Sequence, residues 1–342
     1  MIALCMFFTI LTGCGGSVGS AGVVNVHNWG EYIDESIFKI FEEETGIRVN
    51  YSTYETNEAL YSLMRRGGAN IDVIIPSDYM IARMIEENML AELDFSNIPN
   101  FSLIDPKYRG LAYDPGNKFS VAYMTGTVGL IYNSSNVSGN ITSWSTLFDA
   151  NYSGQILMFD NPRDAFGLTL KYLGYSLNTV NEDEIREAFA LLVQQRPILQ
   201  AYVMDQIFDK LESGEAWIGP YYAGDFLIME ENNPDLKFAR PLEGTNYFVD
   251  AMCIPKDAAN KTNAELFINF MASTDIALMN MEYIMYASAN YEAAAIFAEE
   301  IEPWQNAIMF ASAEVLANSE VFNHLPANIL ELYDELWVEL KR

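Results

Sequence analysis

The chain has 342 residues, half of them hydrophobic, and carries 47 Asp and Glu against 19 Lys and Arg, a formal net charge of −28. Such a balance argues against a nucleic-acid partner, whose phosphates need Lys and Arg; it suits a cationic one, because the summed field speeds the encounter with cations, although solubility of an exported protein would ask for the same acidity. With three Cys, and His27 and His324 as its only histidines, the chain has too few of either residue for a cysteine cluster or a histidine-rich metal centre, so neither metal nor cofactor is expected.

Ile2 to Leu11 is an almost wholly apolar run of signal-peptide length, too short to span a bilayer. It leads into Leu11-Thr12-Gly13-Cys14, which resembles a bacterial lipoprotein signal with Cys14 as the lipidated residue, and then into a Gly/Ser run suited to a flexible tether. No later run is apolar for long enough to make a membrane helix, so the expected anchor is lipid. The remaining length exceeds what one hydrophobic core usually covers, and two domains are expected.

Val23 to Asn28 reads as a first strand, ending at Trp29-Gly30-Glu31-Tyr32. Asp34 is the expected N-cap of a helix that carries Ile37, Ile40 and Phe41 and stops at Gly46. Ile47 to Tyr51 follows as a strand, Glu58 to Arg65 as a helix, and Ile71 to Pro76 as a strand that is apolar apart from Asp72. This alternation implies a parallel sheet covered on both faces, with ligands beyond the carboxyl ends of its strands. Trp29 to Tyr32 and Ser77-Asp78-Tyr79 occupy that position.

From Phe119 to Asn133 two strand-like pieces are expected, joined through Thr125-Gly126-Thr127. A second alternation runs through a strand at Gly154 to Phe159, helices at Asp164 to Leu173 and Asn181 to Gln195, a strand at Leu199 to Val203 and a helix at Gln206 to Ser213. A short strand at Ala216 to Ile218 and a helix from Gly224 to Asn232 close it; from about Ala264 onward the pattern is mostly helical.

Between these lies Asn246 to Pro255, a strand by its β-branched and aromatic content. Its one carboxylate, Asp250, shares a face with Phe248 and Met252 by the two-residue period. A carboxylate among apolar neighbours is costly unless a cation or hydrogen bonds meet it, and no Lys or Arg precedes Lys256 nearby. Either another part of the fold supplies the partner or a ligand does.

Asn28 to Tyr32, Pro76 to Tyr79, Ser143-Trp144 and Phe248 to Pro255 together resemble the spermidine/putrescine-binding proteins of bacterial ABC importers, and Glu43 to Ile47 and Tyr172 to Ser176 extend the likeness in the same order. The resemblance implies an α/β, two-lobed type 2 periplasmic-binding-protein fold, each lobe a mixed sheet flanked by helices, with the ligand cleft between them. It divides the chain into a signal at 1–14, a tether at 15–22, one lobe from 23–126 and 248–292, and a second from 127–247 and 293–342. By position it makes Trp29, Tyr79, Tyr222, Phe248 and Tyr286 aromatic walls, Glu31, Asp164, Asp225 and Asp250 acceptors for ammonium groups, and Ser77 and Tyr32 additional hydroxyls.

The chemistry agrees. A polyamine is a string of methylenes with ammonium groups, which carboxylates accept best and aromatic faces bury. Asp225 with Phe248 looks more like the putrescine-preferring relatives, while Asn161 stands where some members carry an acid. The implied partners are a polyamine and a membrane ABC permease, for a monomer lipid-anchored outside the cytoplasmic membrane and not acting as an enzyme. Two alternatives stay open at this point: a binding lipoprotein for another small solute such as a sugar, and a secreted carboxylate-based hydrolase. Gly15-Gly16-Ser17-Val18-Gly19 matches a nucleophile elbow by letters alone, since no strand and helix flank it.

Overall fold

The computed structural model describes residues 22–67 and 70–342; the expected signal at 1–14, its Cys14 and all of the expected tether except Gly22 lie outside the described residues. Gly22 already belongs to the first strand.

The first alternation is β1 (Gly22–Asn28), α1 (Ile37–Thr45), β2 (Ile47–Thr53), α2 (Asn57–Arg65), β3 (Val73–Ile74) and α3 (Asp78–Glu86). β1 lies between β2 and β3 and is parallel to both, as strands joined by crossover helices should be. Ile37 and Phe41, one turn apart, bury the inner face of α1, and Gly46 ends it at φ 73° with its N–H on the Glu42 carbonyl. The expected cap differs. Ser36 holds the N-cap position with helical backbone angles and makes no side-chain cap, while Asp34 accepts from the Ser36 N–H at 2.9 Å in the turn before. The short Asp34 side chain reaches two residues on and is spent there.

The second alternation is β4 (Ser120–Asn133), β5 (Ile156–Phe159), α4 (Pro162–Tyr172), α5 (Glu182–Gln195), β6 (Leu199–Val203), α6 (Ile207–Glu212), β7 (Ile218–Tyr222), α7 (Ala223–Asn232), β8 (Leu236–Ala239) and β9 (Thr245–Cys253). The remainder is α8 (Lys261–Met271), α9 (Thr274–Ile284), β10 (Ala287–Ser288), α10 (Tyr291–Glu300), α11 (Pro303–Met309), α12 (Ala313–Ala317), β11 (Ser319–Glu320) and α13 (Ala327–Leu340). Helices dominate this stretch, with two short strands among them.

The strands follow the order β2-β1-β3-β9-β4-β7-β5-β6, with β8 and β10 also on β4 and β11 on β9. Both ends are parallel and the middle is antiparallel. β4 is the link: Ser120 to Thr127 pair with β9, and Val128 to Tyr132 pair with β7. Where two pieces were expected there is one 14-residue strand with an irregularity between Ala122 and Met124. Gly126 does not break it. It faces Phe248 across the ladder, and a Cβ there would come within 2.6 Å of the Phe248 ring, so glycine is what lets that ring lie flat.

Asp72 shows how this fold treats a buried carboxylate that it uses structurally. Fully buried, it accepts from the N–H and side-chain amide of Asn25 at 2.9 and 2.7 Å and from the same two groups of Asn260 at 2.9 and 3.0 Å, tying β1 to the turn before α8. Both oxygens are used, Oδ2 by three donors and Oδ1 by one. Asp72→Ala strands those donors and is expected to lower stability by about 2 to 4 kcal/mol; thermal and urea unfolding check this, and a loss under about 0.5 kcal/mol would contradict it.

Candidate functional site

A cleft opens beside β9, with about 830 Å³ of empty space including its mouth. That is room for a small flexible molecule, too much for a single ion. Its walls come from strand ends: Trp29 to Tyr32 beyond β1, Ser77 beyond β3, Met204 and Asp205 beyond β6, Tyr222 at the junction of β7 and α7. Phe248 and Asp250 face it from β9, Asp164 from the first turn of α4, Asp225 from the first turn of α7, and Tyr286 from the segment after α9. Every residue singled out from sequence (Trp29, Glu31, Tyr32, Ser77, Tyr79, Asp164, Tyr222, Asp225, Phe248, Asp250 and Tyr286) lines this one space.

The walls are rings held by one another. Trp29 and Tyr54 pack at 4.7 Å between centroids, and both donate to the Ile75 carbonyl, at 2.8 and 2.7 Å. Tyr32 meets Tyr286 edge-on at 5.0 Å, and Tyr222 meets Phe248 edge-on at 5.5 Å. Gly224 sits so close under the Tyr286 ring that any side chain there would collide with it.

One arrangement repeats around the cleft: a tyrosine hydroxyl donates to one oxygen of a carboxylate. Tyr32 pairs with Asp250 at 2.8 Å, Tyr286 with Asp225 at 2.9 Å, Tyr222 with Asp164 at 3.0 Å, Tyr79 with Glu58 at 2.9 Å and Tyr221 with Asp205 at 3.0 Å. Asp164 is aimed further by Asn161, which caps α4 and donates to the same Oδ2 at 2.9 Å. Phenols orient these acids without neutralising them, and the second oxygen of Asp250 is buried with no hydrogen-bond partner. Among the described residues no Lys or Arg lines the cleft, although Glu31, Glu55 and Asp78 add to its acids. This is the opposite of Asp72.

Electrostatics carry the mark of this. Burial pushes the Asp250 carboxyl up to about 7, with the neighbouring Ser77 and Tyr32 hydroxyls holding it down and Asp164 raising it. Burial likewise pushes Asp78 up to about 8, against the Tyr79 and Val249 N–H groups that it accepts. Asp225, Asp164 and Glu58 are all raised by burial, Asp225 most. Desolvation is the largest cause at all five acids, and the Arg163 charge offsets only part of it at Asp78, Asp164 and Glu58. Among the described residues no three acids, histidines or cysteines converge as they would around a metal; the charge is strung out along the cleft.

Sequence reasoning missed several lining residues. Asp205 follows β6 by the same strand-end rule that found Trp29, but the short turn into α6 hid it. Glu58 sits in the first turn of α2, where the helix dipole alone accounts for an acid. Tyr54 and Tyr221 carried no distinguishing signal, and around Phe322 the likeness to the family is too weak to assign a role.

A family model described as bacterial extracellular solute-binding protein matches residues 36–311. The spermidine/putrescine-binding periplasmic protein of Escherichia coli K12 is 32% identical over 92% of this chain and 90% of its own length. A solved structure from Listeria monocytogenes superposes with a TM-score of 0.88 at 38% identity, covering 93% of this chain and 98% of that one. The spermidine/putrescine ABC transporter substrate-binding protein of Streptococcus pneumoniae gives 0.78 at 34%, covering 94% and 99%. The architecture is thus the periplasmic-binding-protein fold, the mixed α/β class expected from sequence.

The raised acids fix a pH dependence for the ligand-free protein. An ordinary Asp titrates at about 3.9 when unfolded, below the folded values of about 7 for Asp250 and about 8 for Asp78. The stability these groups allow is therefore full in acid and is lost as pH rises through those values. Melting temperature is expected to fall between about pH 5 and 8.5, and to fall less in Asp250→Asn; a profile that rises across that window in both proteins would contradict the assignment.

Proposed function

From the premise that the chain belongs to the bacterial extracellular solute-binding proteins, we propose that it captures a polyamine, putrescine or spermidine, and hands it to a membrane ABC permease. The observation that carries this reading is the set of tyrosine-braced carboxylates lining an aromatic cleft, with no Lys or Arg among its described lining residues. The tyrosine hydroxyls already donate their hydrogen bonds to the acids, so the cleft offers acceptors and few free donors. A neutral sugar needs both. An alkyl ammonium brings donors and charge together, and its methylenes suit the ring faces of Trp29, Phe248 and Tyr286.

In this reading Asp250 holds a central ammonium group, Asp225, Asp205 and Glu31 draw in one end of the ligand, and Asp164 lies toward the other. A charge pair at about 4 Å is worth about 1 kcal/mol in open water and about 4 at an effective dielectric near 20, so exclusion of water matters as much as the acids. Two lobes, 23–126 with 248–292 and 127–247 with 293–342, would close by bending about the crossing strands β4 and β9. Gly30 supports this: a side chain there would strike Asp205 on the far side of the mouth. Closure is driven by the ligand's preference for the closed form. Cys14 would carry the lipid that keeps the monomer at the outer face of the cytoplasmic membrane or in the periplasm, the compartment named for the E. coli relative.

A thermal-shift screen with putrescine, spermidine, spermine, lysine, maltose and thiamine separates this from other solutes. Polyamines are expected to raise the melting temperature, and stabilisation by maltose alone would overturn the reading. Calorimetry on Asp250→Asn is expected to show polyamine binding weakened at least about tenfold, or about 1.4 kcal/mol, in a protein that remains folded by circular dichroism. Unchanged affinity would remove Asp250 from the site.

A further inference from the structure

Asp78 opens α3 and is 3% exposed, in the same cleft wall as Asp250 at 4%. Its place follows from how β3 meets β9. The two strands pair antiparallel at Ile74 and Cys253, and the Pro76 carbonyl then takes the N–H of Ala251 at 3.1 Å. The next N–H of β9 on that side belongs to Val249, but there the chain has turned into α3 and its carbonyls run along the helix. The Asp78 side chain supplies the acceptor instead. Its Oδ2 takes the Val249 N–H at 3.3 Å, and its Oδ1 takes the N–H of Tyr79 at 2.7 Å. Ser77 bridges to Asp250 between these bonds, so one turn holds the part of β9 that presents Asp250.

A neutral oxygen would serve those two N–H groups equally well. A carboxylate adds charge, which the α3 dipole favours but burial beside a second acid opposes. It also has about four acceptor positions, and Asp78 spends two on N–H groups, leaving others for a donor in the cleft. The charged and titratable groups that act on it come from several elements. Asp250 on β9 opposes its ionisation, and Arg163 on α4 favours it only weakly. Tyr247 on β9 and Tyr113 before β4 are phenols that burial and the Asp78 charge keep protonated. Among the described residues no Lys or Arg joins these acids in the cleft wall.

We propose that Asp78 is a ligand-binding residue, the second carboxylate of the central site, which shares one ammonium group of the ligand with Asp250 while holding β9 in register. This rests on the polyamine reading above. An ordinary Asp titrates at about 3.9, whereas burial pushes Asp78 up to about 8 in the empty cleft. Near pH 6 it therefore carries a proton and differs little in charge from an amide. Near pH 9 it is ionised. An arriving ammonium group favours the ionised form at either pH, and the proton it displaces leaves to the solvent.

The test is calorimetry with putrescine on the wild-type protein and Asp78→Asn at pH 6 and pH 9, with folding checked by circular dichroism. Asparagine keeps an oxygen for the Val249 N–H and gives up the charge. The two proteins are expected to bind almost equally at pH 6, and the wild type about tenfold more tightly or better at pH 9. Titration of the ligand itself is common to both proteins and cancels in the ratio. A ratio that is the same at both pH values, whatever its size, makes Asp78 a structural residue only and overturns the proposal. Asp78→Ser, with a smaller neutral acceptor, takes the same measurement if the asparagine variant does not fold. Should the wild type bind no polyamine at either pH, the polyamine reading fails and this one with it, whereas binding with an unmoved ratio sinks this proposal alone.

Discussion

The structure turns on carboxylates that are aimed but not neutralised. A buried acid can be satisfied completely from within, as Asp72 is by the two asparagines that clamp it. Asp250 is treated differently. One oxygen receives the Tyr32 hydroxyl, the Ser77 hydroxyl stands close by, and among the described residues no Lys or Arg lines the cleft to meet the charge, although the chain has Lys and Arg elsewhere. A tyrosine partner fixes direction while leaving the negative charge for something else, and the same device recurs at Asp225, Asp164, Glu58 and Asp205. The cost appears as carboxyls that burial drives upward. Sites that bind charged ligands tolerate such local penalties because the ligand relieves them.

The fold supplies the geometry at little extra expense. Parallel strands end on one side of each group, so their following loops converge there without special connections. The two long antiparallel strands then run through the place where the groups meet. β9 puts Phe248 and Asp250 at the crossing, and β4 contributes Gly126, whose missing side chain makes space for the Phe248 ring. Gly224 does the same for Tyr286. Rigid rings on well-paired strands make a wall that keeps its shape, which lowers the ordering cost when a flexible ligand is bound.

Much of this was legible in the sequence, and the reasons are specific. Asp250 stood out because its strand pattern predicted burial while no cation lay near it in sequence. The loops after β1 and β3 stood out because strand ends are where such sheets bind. What could not be read was pairing at a distance. Tyr32 and Asp250 are 218 residues apart, and Tyr286 and Asp225 are 61 apart; no local rule links a phenol to an acid across that span. β4 was expected in two pieces because glycine usually weakens a strand, whereas here the glycine is fitted to a ring on the neighbouring strand. Asp34 was misplaced by two residues because an Asx turn and a helix cap use the same side-chain chemistry.

The central claim, that these acids wait for a guest cation, is tested most directly by counting protons. Putrescine titrations near pH 7 in two buffers of different ionisation enthalpy give the number of protons exchanged on binding. Because Asp250 and Asp78 titrate at about 7 and about 8 in the empty cleft, a bound ammonium should pull both downward and release protons, fewer in Asp250→Asn. Tight binding with no proton release, or with proton uptake, would mean that the carboxylates were never waiting for the ligand's charge.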